Sequence, residues 1–140
     1  MIVPRPPRRP NVIKEINRVT PPYPCPACGH RVFDEPPGCH LICPVCFWED
    51  DGVQLRCPTV AIGANRISLV EAQRNVIAFG ACKERVRALV RPPAPREAMD
   101  PAWRCIGPSD DFEDLSTVSS TSWPEDWTTL YWWLPTFWRA

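Results

Sequence analysis

Cys25-Pro26-Ala27-Cys28 and Cys43-Pro44-Val45-Cys46 lie fourteen residues apart, and their reading decides the fold. A Cys-X2-Cys segment makes a tight turn that aims both sulfurs into its concave side. Pro26 and Pro44 preset the φ that the second position of such a turn wants. Two such hooks separated by about 15–20 residues are the pattern of a structural zinc site of the ribbon type. Gly29 after the first hook can adopt the left-handed conformation that lets the chain leave it. The second hook is followed by Phe47, so the two hooks are expected to differ.

Between the hooks, His30-Arg31-Val32-Phe33 reads as a strand and Asp34-Glu35-Pro36-Pro37-Gly38 as a turn. Leu41-Ile42 reads as a second strand. The expected result is a hairpin that carries the second hook back to the first. Thiols in such a pattern have three other fates. Disulfides need an oxidising compartment. The start of the chain, Met1-Ile2-Val3-Pro4-Arg5, has no apolar core segment of a leader, so a cytoplasmic location is expected. A glutaredoxin-like redox pair needs a strand before Cys25-Pro26-Ala27-Cys28 and a helix after it. Pro21, Pro22 and Pro24 precede that motif instead, and Gly29 and a β-rich run follow. Iron suits the same four sulfurs as zinc does. Cys25, Cys28, Cys43 and Cys46 are therefore the expected ligands, with zinc as the default ion. Cys39 and His40 could replace a ligand. Cys57, Cys82 and Cys105 are isolated and read as small apolar residues.

The 140 residues sum to zero formal charge, but unevenly. Residues 1–98 carry 14 Lys/Arg against 9 Asp/Glu, and residues 99–140 carry 2 against 7. Three regions are expected. Residues 1–22 form a Pro/Arg-rich, disordered arm with Arg5, Arg8, Arg9, Lys14 and Arg18. Residues 23–98 form the cysteine-rich domain. Residues 99–140 form an acidic, Trp-rich extension. No aromatic residue lies among the arm's cations to stack on bases, which argues against nucleic acid as a partner. The arm could equally meet an acidic surface.

A domain this short needs a staple. A disulfide contributes about 2–4 kcal/mol, a structural zinc about 10–16 kcal/mol in finger peptides. Ser68-Leu69-Val70-Glu71 has the form of a capping box. Leu69, Ala72, Val76 and Phe79 then recur on one helical face. The spacing predicts a helix over 68–79, ended by Gly80, and a second helical piece over 82–90, ended by Pro92-Pro93. The overall expectation is a small α+β fold. A zinc-ribbon-like hairpin with two knuckles packs on one or two helices, between irregular tails.

Trp48 is expected to shield the sulfurs. Glu49, Asp50 and Asp51 invite a catalytic reading, but neighbours along a strand point to opposite faces. The aromatic residues Trp123, Trp127, Tyr131, Trp132, Trp133, Phe137 and Trp138 end the chain. The stretch 130–138 is too short to span a bilayer; docking onto the domain or onto a partner is expected.

The strings Cys25-Pro26-Ala27-Cys28-Gly29, Ile42-Cys43-Pro44-Val45-Cys46-Phe47-Trp48-Glu49-Asp50-Asp51, Gly63-Ala64-Asn65, Phe79-Gly80-Ala81-Cys82 and Val90-Arg91-Pro92-Pro93 resemble the cysteine-rich CPCC family of small bacterial proteins. The resemblance covers about residues 23–97. It implies a compact cysteine-rich domain in a bacterial protein and no established activity. The chain departs from the family pattern at Ala27, where the family has a third Cys, at Cys57, where Asp is usual, and at Ile62, where Gly is usual. Three functions are carried forward. The first is a non-catalytic zinc-binding module that mediates protein–protein interaction. The second is an immunity or antitoxin-like protein that binds a bacterial toxin. The third is a metallohydrolase that uses the Glu49–Asp51 carboxylates. The protein partner and the oligomeric state are not specified by these residues.

Overall fold

The computed structural model describes residues 19–118 and 122–138. Most of the Pro/Arg-rich arm and part of the Ser/Thr run at 116–122 lie outside them. The first hook sits at the tip of a short antiparallel hairpin. Strand β1 (Tyr23–Pro24) enters it, strand β2 (Arg31–Phe33) leaves it, and Tyr23 pairs with Phe33. The far edge of β2 is taken by residues 98–100. The Arg31 N–H donates to the Ala98 carbonyl at 3.1 Å, Asp100 donates to Gly29, and His30 bridges to Met99.

This differs from the expected hairpin between 30–33 and 41–42. Leu41-Ile42 pairs locally instead, with Ile42 bridging to Glu49 across the second hook. The Asp50 carboxylate is the physical reason. Its Oδ2 accepts from the Gly38 and Cys39 N–H groups at 2.8 and 3.2 Å. That fastens the 34–41 turn to the second hook and keeps it away from β2. A small α+β architecture with two hooked turns is present; a hairpin joining the hooks is not.

A short helix that the sequence does not announce follows the second hook. Asp51 caps α1 (Gly52–Arg56) by accepting from the N–H groups of Val53 and Gln54. Helix α2 (Leu69–Phe79) starts and stops where the sequence places it. The Ser68 hydroxyl accepts from the Glu71 N–H at 3.1 Å, and Gly80 closes it at φ +83°. Leu69 and Ala72 are fully buried. The second helical piece is a 3-10 helix, Glu84–Leu89; Val86 turns inward, whereas Leu89 is 60% exposed. A short helix α3 (Leu115–Val118) and a 3-10 turn, Trp127–Leu130, follow.

The core is continuous from the hooks to the C-terminal aromatics. Phe33, Trp48, Leu55, Leu69 and the four hook cysteines share one buried cluster with Leu130, Tyr131, Trp132 and Trp133. The aromatic segment docks in cis, and three of its polar tips find partners in the rest of the fold. The Tyr131 hydroxyl donates to the Pro24 carbonyl at 3.0 Å. The Trp132 indole donates to the Arg104 carbonyl, and the Trp133 indole to Asp100. Among the described residues, no helix is long and apolar enough to cross a membrane.

Candidate metal centre

Each hook is closed by the same two backbone bonds. In the first, the Gly29 N–H reaches the Cys25 carbonyl at 2.7 Å and the Cys25 N–H reaches His30 at 2.8 Å. In the second, Phe47 reaches Cys43 at 2.8 Å and Cys43 reaches Trp48 at 2.9 Å. Gly29 has φ +82° and Phe47 has φ +72°. The two hooks are therefore backbone equivalents, contrary to the expected difference. Phe47 takes a left-handed conformation that costs a non-glycine residue about 1–2 kcal/mol.

Neighbouring elements hold the outward carbonyls of both hooks. The Pro26 carbonyl accepts from the Gln73 amide of α2 at 3.0 Å and from the Trp103 indole at 3.1 Å. The Cys46 carbonyl accepts from the Cys82 N–H, and the Pro44 carbonyl from the Arg91 N–H. Behind the second hook, Asn65 bonds both backbone groups of Glu49 at 2.8 Å and reaches the Gln54 side chain at 3.0 Å. Gln73, Asn65 and Gln54 were not read as positioning residues. Their only sequence signal was polarity at positions that turn out to be buried.

So held, the hooks face each other. The sulfurs of Cys25, Cys28, Cys43 and Cys46 all lie within 4.8 Å of one another. Across the hooks, Cys25 and Cys46 are 3.6 Å apart and Cys28 and Cys43 are 3.8 Å apart. A disulfide would need about 2.05 Å, so these sulfurs are not bridged. A tetrahedral ion with metal–sulfur bonds of about 2.3 Å has sulfur–sulfur edges of about 3.8 Å. The donor set fits a thiophilic metal ion in both distance and chemistry. All four cysteines are at most 2% exposed. Trp48, fully buried, packs in the same cluster.

The electrostatics of the cluster ask for a cation. Burial pushes the Cys25 thiol up, and the neighbouring thiols add to this. Burial also acts on Cys43, but hydrogen bonds from Cys25, Cys28 and Cys46 outweigh it and lower that thiol. Four thiolates this close together need positive charge among them, which a metal ion would supply.

The other candidates fall elsewhere. Cys39 donates its S–H to Asp50 at 3.2 Å. His40 stands 3.7 Å from Glu49, and His30 bonds the Glu97 carbonyl at 2.8 Å. Cys57 and Cys82 are fully buried outside the four-sulfur group, and Cys57 closes the end of α1. The three carboxylates do not converge. Asp50 holds the turn, Asp51 caps α1 and catches the Ala64 N–H at 3.0 Å, and Glu49 faces His40.

The model of the family described as "Cysteine-rich CPCC" matches residues 23–97, more than half of the chain. The chain belongs to the cysteine-rich CPCC family. No curated protein and no solved structure matches it. The CPCC match spans both hooks and α2. It stops before Met99 and Asp100, which complete the edge of β2, and before the aromatic segment that closes the core.

Proposed function

We propose that the protein is a non-catalytic, zinc-stabilised module that mediates protein–protein interaction in a bacterial cytosol. Cys25, Cys28, Cys43 and Cys46 are the ligands. The observation that carries this reading is the buried set of four sulfurs, all within 4.8 Å of one another. Structural zinc sites fill all four positions with protein atoms, whereas catalytic ones keep a position for water. The ion cross-links the two hooks and supplies the charge that lets buried thiols ionise. Zinc is favoured over iron as the common occupant of structural four-thiolate sites.

The metallohydrolase reading requires an open metal position with a carboxylate beside it. Asp50 and Asp51 are committed to backbone N–H groups, which leaves only Glu49, and Glu49→Gln is expected to leave metal content unchanged. The test of the main reading is elemental analysis of protein purified under reducing conditions. One ion per chain is expected, with cobalt substitution giving a tetrahedral thiolate spectrum that added water-competing anions do not alter. Removing the ion with a chelator should abolish the near-ultraviolet signal of the core. A folded, metal-free protein, or an ion with exchangeable water, would overturn the proposal.

A further inference from the structure

A surface groove of about 410 Å³ lies away from the sulfur cluster, lined by Tyr23, Pro36, Pro37, Glu125, Asp126 and Trp127. Its lining combines aromatic and prolyl residues with two carboxylates. Trp127 is anchored, because its ring lies against the backbone at Gly38 and Gly52, where an added Cβ would come within 2.4 and 2.6 Å of it. Its other neighbour is Trp123, stacked at 4.6 Å. Glu125 and Asp126 are exposed, and neither forms an ion pair among the described residues. Rigid aromatic grooves with acidic rims recognise proline-rich segments that carry cations.

The chain carries such a segment next to the groove. Val19 is the first described residue and lines the groove itself. Before it, Pro4, Pro7 and Pro10 recur at every third position, and Arg5 and Arg8 each follow one of them. A polyproline II helix has three residues per turn. In that form the three prolines share one face and the two arginines share the next. Residues 1–18 carry five cations and Glu15, net +4, and the rest of the chain is net −4. Eight residues lie between Pro10 and Val19, enough for roughly 30 Å of reach over the nine steps.

We infer that the groove of Tyr23, Pro36, Pro37 and Trp127 is a proline-rich-peptide site whose resident occupant is this chain's own residues 4–10. Such a segment would meet Tyr23 and Trp127 with its prolines and the exposed Glu125 with its arginines, while the Asp126 carboxylate also caps the 127–130 turn through the Thr128 N–H and hydroxyl. The inference deepens the interaction-module reading by naming its surface, and it uses no metal ligand. A short tether gives an effective concentration on the order of 1 mM. An intrinsic affinity of about 0.1 mM therefore fills the groove in cis and makes a competing peptide bind about tenfold more weakly.

The experiment uses the full-length, metal-loaded protein and a fluorescent peptide with the sequence of residues 1–18. The peptide is titrated into wild type and into the double variant Arg5→Glu/Arg8→Glu. The double variant should bind it at least about tenfold more tightly than wild type. Adding Glu125→Lys to that variant should weaken binding severalfold at low salt, with metal content unchanged. The Trp127 indole and Tyr23 amide resonances should differ between wild type and the double variant. Equal peptide affinity for the two proteins, or binding to neither, overturns the inference. So does a wild-type dimer that Arg5→Glu/Arg8→Glu dissociates, since the arm would then fill a second copy. Each of these results with metal content intact leaves the zinc reading standing, whereas loss of metal alone does not touch the groove.

Discussion

At Gly29 the chain needs both a left-handed turn and bare space. The Cβ of an alanine there would sit 2.6 Å from the Trp103 ring, at φ +82°. Gly29→Ala should destabilise the metal-loaded protein by about 2–4 kcal/mol, combining the left-handed cost with overpacking. Denaturant unfolding at fixed metal concentration measures it. Phe47 holds the same conformation without the glycine, and no property of phenylalanine announces that. The ligands themselves were readable because sulfur chemistry and spacing are local. The partners of Asp50 and Asp51 were not, because a carboxylate looks the same whether it caps a helix or activates water. Cys39 gives a pH test. Burial pushes its thiol from 9.0 up to about 11. Between those values the folded chain keeps a proton that the unfolded chain loses, so stability falls as pH rises from about 9 to about 11. Alkylation of Cys39 should accordingly stay slow at pH 8 and accelerate toward pH 11, followed by mass spectrometry. Rapid labelling at pH 7 would contradict the burial argument.

Among the elements, helix α2 was legible from end to end. Its cap, its apolar stripe and its terminal glycine are all sequence-local signals, and nothing in the tertiary structure overrides them. Ser68→Ala should cost about 1 kcal/mol, the loss of one capping bond. Gln73→Leu should cost more. Gln73 is nearly fully buried and bonds the Pro26 carbonyl and the Ile106 N–H; the carbonyl keeps the Trp103 indole, but the Ile106 N–H is stranded at a cost of about 1–3 kcal/mol. Thermal melts of the two variants should keep that order, and a reversed order would show that α2 does not brace the first hook. Strand β2 was placed correctly but given the wrong partner. A strand of three residues carries no register information, and its true neighbours, 23–24 and 98–100, are claimed by long-range bonds that periodicity cannot reveal. Helix α1 was missed for a related reason: five residues are too few to show a period.

On the scale of the whole molecule, the aromatic segment is structural. Tyr131 is 1% exposed and crosses the core to the Pro24 carbonyl. Tyr131→Phe should lower stability by about 1–2 kcal/mol by leaving that buried carbonyl unpaired, with metal content unchanged by elemental analysis. An effect within error would mean that water replaces the hydroxyl. Arg56 shows how closely the two ends of the core are knitted. Its side chain is nearly fully buried, pairs with Glu113 at 2.7 Å, and lies 4.7 Å from the ring centres of both Trp123 and Trp138.

The bond between Tyr131 and Pro24 also bears on biosynthesis. The two residues are 107 positions apart, so the ribosome releases both cysteine hooks long before it makes the aromatic lid. The two hooks can meet before the hydrophobic interior closes. In that interval the nascent chain displays bare greasy surface, which makes it a client for chaperones and exposes prematurely terminated products to aggregation.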